Sequence, residues 1–198
     1  MTTTATSFEP PTATIGAEVS GVDLTDLTPD TVAASRAALG ELTPAHPVVP
    51  GLDDDHPEIY VLDSGDGGKA PVWHTDVTFT RTPPLGSVLR AVSLPPTGGD
   101  TCWTDLEAAY LALSPRFVNP GFTTHLQDVF DSESRALPAV FFAAIGRPEH
   151  SVRHRWRPGD VVVWDNRATA HLAVDDYGDQ HRVMHRITIR GDEPAGPA

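Results

Sequence analysis

A chain of 198 residues is long enough for one domain with a substantial core, and its formal net charge of −13 argues against nucleic acid or an anionic membrane as partner. The 19 Pro and 16 Gly point to short elements joined by many turns rather than to a helical bundle. Cys102 is the single cysteine, so no internal disulfide can form; Met1-Thr2-Thr3-Thr4-Ala5 lacks the features of a signal peptide, and no stretch is apolar for long enough to span a bilayer. Together these features predict a cytoplasmic protein.

Taken in order, residues 1–12 read as a Thr- and Pro-rich, loosely held tail, and 13–193 as a single domain. A short strand is expected over Ile15 to Leu24, with a turn at Gly21. A helix is expected to start at Thr28-Pro29-Asp30, with its cap, first-turn proline and first-turn acid, and to stop at Leu39-Gly40. From 43 to 57 the chain is a polar loop carrying His46 and Asp53-Asp54-Asp55, a solvated acid run without a calcium-loop pattern. Glu58 to Leu62 reads as a strand, and 63–68 as a glycine-rich loop near a site mouth. Further strands are expected over 73–79, 87–92, 100–103, 152–156, 161–164 and 182–190. Thr104-Asp105-Leu106-Glu107 has the form of a capping box that opens a helix over about 105–113. A second helix is expected over about 132–145, kinked or delayed by Pro138. Many strands and few helices predict a mainly β barrel or double sheet with a few flanking helices.

Chemistry concentrates in three places. His74 and Asp76 lie two residues apart, and on an extended strand they would share a face and grip one side of a divalent metal. His171, shortly after the apolar run ending Trp164-Asp165-Asn166, supplies a third ligand. Two histidines and one carboxylate form the facial set that holds non-haem Fe(II) and leaves the opposite face open; zinc with a bound water fits the same donors. Arg182 and Arg186, four apart on the last strand, also share a face, with His181 and His185 in the opposite register. Either the two arginines point inward to grip a carboxylate, or they pair with the many surface acids. Trp73, Trp103, Trp156 and Trp164 read as core.

In their order, Trp73-His74-Thr75-Asp76-Val77-Thr78-Phe79, Gly98-Gly99-Asp100-Thr101, Trp164-Asp165-Asn166-Arg167…His171 and Met184-His185-Arg186 resemble the taurine dioxygenase family. The resemblance runs over most of residues 13–193. It implies a double-stranded β-helix, or jelly roll, using Fe(II), 2-oxoglutarate and O2. It implies iron ligation by His74, Asp76 and His171, and pairing of Arg186 with the distal carboxylate of 2-oxoglutarate. Thr101 would donate a hydrogen bond to the same cosubstrate, and Arg182 would lie beside it. The implied reaction hydroxylates a small organic anion with release of succinate and CO2; a sulfate- or sulfonate-bearing carbon would collapse to an aldehyde and sulfate or sulfite.

His46 and Phe122 match the substrate-lining pattern of the family. Val49 and Ala70 stand where taurine-using members are expected to carry Tyr and Asn, so the pocket suits an apolar tail: an alkyl sulfate or a longer alkanesulfonate. The connections at 40/41 and 115/116 are shorter than the family pattern, where a core strand with a helix and a covering segment are expected. Two rival readings fit the same residues: a jelly-roll remnant that binds metal and 2-oxoglutarate without turnover, and a zinc hydrolase. The family also implies a dimer or tetramer, provided that the short connections leave the interface intact.

Overall fold

A computed structural model describes residues 7–13, 15–20, 23–24, 42–43, 49–67, 69–111 and 130–193. Among the described residues, nine strands and two α-helices form in this order: β1 (Ser7–Glu9), β2 (Glu18–Ser20), β3 (Tyr60–Asp63), β4 (Gly86–Ser93), β5 (Thr101–Asp105), α1 (Leu106–Leu111), α2 (Asp131–Ile145), β6 (Ser151–His154), β7 (Val161–Asp165), β8 (Thr169–Ala173) and β9 (Val183–Ile189). All pairings are antiparallel. One sheet runs β3-β9-β4-β7 and a second runs β6-β5-β8, while β1 and β2 pair separately as a ribbon. This is the mainly β double sheet expected from the sequence, with its helices at the flank.

Alternation builds the core. Leu89 and Ala91 of β4, Trp164 of β7 and Met184 of β9 point inward from the larger sheet, and they meet Trp103 of β5 and Trp156 from the smaller one. Burying each large apolar side chain contributes about 1.5–3 kcal/mol. A second cluster, Leu106, Ile145 and Ala170 with Trp73 and Phe142, packs the helices against β8.

Several local expectations turn out differently. Residues 7–9, read as part of a loose tail, pair with β2 in register Ser7↔Ser20 to Glu9↔Glu18. The predicted capping box at α1 does not form, because the Thr104 hydroxyl instead donates to the carbonyl of Ile145 at 2.6 Å. Asp105 takes over the cap, its Oδ1 accepting the Ala108 N–H at 3.0 Å. The buried Thr104 side chain thus ties β5 to the end of α2. Pro138 lies inside α2 and does not delay its start. The helix expected at 28–40 and the residues His46 and Phe122 lie outside the described residues. Among the described residues, no helix is long and apolar enough to cross a membrane.

Candidate metal centre and the buried arginines beside it

His74 and His171 are direct partners in an antiparallel bridge: the His74 N–H donates to the His171 carbonyl at 2.9 Å, and the reciprocal bond is 2.8 Å. Their rings therefore lie side by side, with centroids 4.2 Å apart. His171 belongs to β8, a strand that sequence reading did not mark, since Thr169-Ala170-His171-Leu172-Ala173 carries little apolar alternation.

Asp76 arrives by a different route from the expected one. It sits in a turn over 76–79 rather than on a strand, and the next residue, Val77, has φ 53°. A left-handed β-branched residue is strained, so something must hold the turn. Asn166, at the end of β7, does so: its Oδ1 accepts the Asp76 N–H at 2.9 Å, and its Nδ2 donates to the Asp76 carbonyl at 3.0 Å and to the Pro84 carbonyl at 3.2 Å. The buried amide pairs with both backbone groups of the ligand residue as a neighbouring strand would. The motif was visible in the sequence, but this role was not.

The three side chains converge so that their ligand atoms lie within 4.8 Å of one another. Asp76 Oδ1 is 3.7 Å from His74 Nε2, and Asp76 Oδ2 is 3.7 Å from His171 Nε2. Those separations are too long for hydrogen bonds and suit an ion bonded at about 2 Å to each donor. Among the described residues, Asp76 Oδ2 is buried without a hydrogen-bond partner, and the His74 Nδ1 contacts the Val72 carbonyl at 2.8 Å, leaving Nε2 for the ion. The residues fit a divalent metal. Their charge states agree: burial pushes the His171 imidazole down to about 3 against the pull of Asp76, keeping it neutral and able to ligate. Burial opposes the charge on Asp76, but Arg186, with His171 and His74, outweighs it and holds the carboxyl below the usual carboxylate range.

Both arginines point inward, which removes the surface-pairing alternative. Arg182 and Arg186 are 5% and 7% exposed. Their partners differ. Arg186 Nη1 donates to Asp76 Oδ1 at 3.0 Å, while its Nε is buried without a partner among the described residues. Arg182 Nε donates to the Gly99 carbonyl at 3.0 Å, and its Nη2 donates to the Thr101 hydroxyl at 3.3 Å. The Trp156 indole N–H also reaches Thr101 Oγ1, at 2.9 Å. Among the described residues, Arg182 hydrogen-bonds to neutral groups only; burial disfavours its charge, and nearby Tyr177 and Asp100 offset only part of that. The strand register joins the two places: Trp103 lies opposite His171 across β5 and β8, and Thr101, two residues back, lies on the same face.

Of the predicted substrate-lining residues, Ala70 sits at the edge of this region, its carbonyl accepting the Ala173 N–H at 3.1 Å. Val49 is half-buried, two residues before Gly51, which bridges Tyr60 opposite Arg186.

Comparison with known proteins agrees with this arrangement. The model of the family described as Taurine catabolism dioxygenase TauD, TfdA matches residues 19–119 and 116–188. An alkylsulfatase of Acinetobacter baylyi is 34% identical, over 76% of this chain and 66% of its own length, so the chain spans just under two thirds of that relative. An alpha-ketoglutarate-dependent sulfate ester dioxygenase of Pseudomonas putida is 32% identical, over 92% of this chain and 88% of its own length. A taurine dioxygenase structure from Burkholderia xenovorans superposes with a TM-score of 0.80 at 35% identity, covering 97% of this chain and 93% of that one.

Proposed function

This chain belongs to the taurine catabolism dioxygenase TauD, TfdA family, and from that membership we propose that it is an Fe(II)- and 2-oxoglutarate-dependent dioxygenase that cleaves alkyl sulfates. The observation that carries the enzymatic reading is the triad His74, Asp76 and His171, whose donor atoms converge while a buried carboxylate oxygen has no hydrogen-bond partner among the described residues. Bound there, Fe(II) with 2-oxoglutarate and O2 would supply the oxidant that hydroxylates the carbon bearing the sulfate, and the product then falls apart to an aldehyde and sulfate.

The chain's own residues have separate tasks. Thr101 pairs with Arg182 rather than with Arg186, which favours Arg182 and Thr101 as the grip on the distal carboxylate of 2-oxoglutarate. A carboxylate bound there would give Arg182 the direct ionic partner that its own hydrogen bonds, all to neutral groups, do not supply. Arg186 reaches the metal ligand Asp76 directly, and its free Nε suits the anionic group of the substrate, brought close to the ion. This exchanges the roles expected for the two arginines from the sequence. Trp103 and Trp164, both buried next to His171 or opposite it, exclude water from the inner wall. Val49 and Ala70 offer a substrate tail no side-chain polar partner, which supports an alkyl chain over taurine's ammonium. Both relatives that act on sulfate esters by name point the same way.

The test is an anaerobic titration of Fe(II)-loaded protein with 2-oxoglutarate, following the weak visible charge-transfer band of the chelate. Succinate release is then measured with alkyl sulfates of increasing chain length and with taurine. A saturating band and succinate formation stimulated by alkyl sulfates are expected. A folded protein that binds Fe(II) but shows no band would overturn the reading, and activity with zinc that needs no O2 would replace it with hydrolysis.

A further inference from the structure

We propose that Asp176, on the loop after β8, is the positioning residue for Arg182 and sets the protein's affinity for 2-oxoglutarate through the Gly98-Gly99 turn. The inference rests on the assignment of Arg182 and Thr101 to the cosubstrate carboxylate.

Both acceptors that hold the Arg182 guanidinium, the Gly99 carbonyl and the Thr101 hydroxyl, come from one short segment. That segment starts with two consecutive left-handed glycines, Gly98 at φ 77° and Gly99 at φ 73°. Glycine reaches this conformation freely but does not fix it, so the turn depends on outside contacts for its shape. Asp176 supplies them. Its Oδ1 accepts the Gly99 N–H at 2.8 Å, so one peptide neighbourhood takes Asp176 on its N–H side and Arg182 on its carbonyl side. A Cβ at Gly98 would lie 2.5 Å from Asp176 Oδ1, which shows the carboxylate seated flush against the turn. A Cβ at Gly99 would lie 3.1 Å from Arg182 Cδ, so the turn also packs closely against the arginine.

The carboxylate is itself held. Arg153 donates from Nη2 to Asp176 Oδ2 at 2.9 Å and from Nε to Asp100 Oδ2 at 2.6 Å, bridging the loop of Asp176 to the glycine segment from outside. The Val174 N–H donates to the Asp100 carbonyl at 2.9 Å, fixing the next residue to the same loop. The Gly99 N–H, aided by Arg153, keeps the Asp176 carboxyl below its ordinary value, so it remains an anion through the neutral range. Its side chain is 41% exposed, which separates its role from core packing. The Gly99 N–H and carbonyl belong to successive peptides joined by the φ and ψ of Gly99, so losing the acceptor frees those angles and Arg182 then loses the bond that orients its fork for a planar carboxylate.

The experiment uses the full chain loaded with Mn(II), which occupies the site without turnover. Calorimetry gives the affinities for Mn(II) and for 2-oxoglutarate, and thermal unfolding is followed alongside. In Asp176→Ala, 2-oxoglutarate binding is expected to weaken about tenfold, near the lower end for loss of a charge-assisted hydrogen bond. Mn(II) affinity and the unfolding temperature should stay at the wild-type values. Asp176→Asn should recover most of the loss, because its amide oxygen still accepts the Gly99 N–H. Unchanged 2-oxoglutarate affinity in Asp176→Ala overturns the proposal, as does a joint fall of both affinities and of the unfolding temperature. If the wild type binds Mn(II) but no 2-oxoglutarate, it is the functional reading that fails. The link is then still decided by the Arg182 Nε–H resonance in a proton–nitrogen correlation spectrum: a shift in Asp176→Ala supports it and no shift overturns it.

Discussion

The metal corner and the proposed cosubstrate corner sit on the same inner surface but are held in opposite ways. At the metal corner, buried groups clamp backbone: His74 and His171 exchange two main-chain hydrogen bonds, and Asn166, 1% exposed, pairs with both polar groups of Asp76. At the cosubstrate corner, a buried arginine rests on a glycine turn whose shape depends on Asp176 and Arg153 at the surface. The difference follows from charge. A triad that must hold one ion in one geometry needs rigid supports, whereas an exposed carboxylate can orient an arginine without being taken out of water. Damage to the first corner should therefore appear as lost metal and lost stability together, and damage to the second as lost affinity in an intact fold.

The largest test of that contrast removes a ligand. His171→Ala and Asp76→Ala should each abolish saturable Mn(II) binding in calorimetry; retained wild-type affinity in either would sink the triad. Asn166→Ala comes next. It leaves the Asp76 N–H and carbonyl without their buried partner, so metal affinity should drop about 10–100-fold and the fold should lose about 1–3 kcal/mol in denaturant unfolding. A loss of stability with unchanged metal affinity would show that the clamp supports the fold and not the ligand.

The two arginines sharpen the comparison from within. Arg182→Ala should weaken 2-oxoglutarate binding by about 2–5 kcal/mol, as for one partner of a buried charge pair, and leave Mn(II) affinity near wild type. Arg186→Ala should act elsewhere: it removes a cation hydrogen-bonded to Asp76, so the KM for the sulfate ester should rise more than the KM for 2-oxoglutarate. If Arg186→Ala instead removes 2-oxoglutarate binding and Arg182→Ala does not, the role expected from the sequence was the right one and Thr101 has been misread.

How much of this the sequence disclosed depends on the range of the interaction. Apolar strand patterns were enough for β4, β7 and β9, and the spacing of Arg182 and Arg186 put both on one face; that this face is the buried one only the fold decides. Donor chemistry was enough to gather His74, Asp76 and His171. What stayed hidden were contacts between segments far apart in the chain. Thr104 looks like a helix cap until the end of α2 arrives to take its hydroxyl. Asp176 looks like one of many surface acids until the chain folds it against Gly99. Asp76 looked like a strand residue because His-x-Asp has the period of a strand; the structure turns the chain there instead, since Asn166 can replace a neighbouring strand for a single residue.

That turn gives the smallest expected effect. Val77 at φ 53° stores strain of about 1–3 kcal/mol, which glycine would release. Val77→Gly also discards a side chain that is 8% exposed, at a cost of about 1.5–3 kcal/mol, and adds freedom to the unfolded chain worth about 0.5–1 kcal/mol. The opposing contributions nearly cancel, with a small net destabilisation measurable in denaturant unfolding. Metal affinity tells more than stability here. If the Asn166 clamp alone places Asp76, Mn(II) should bind Val77→Gly as it binds the wild type. If affinity falls while stability holds, the strained valine is itself part of the support, and the metal corner is held from both sides of its carboxylate.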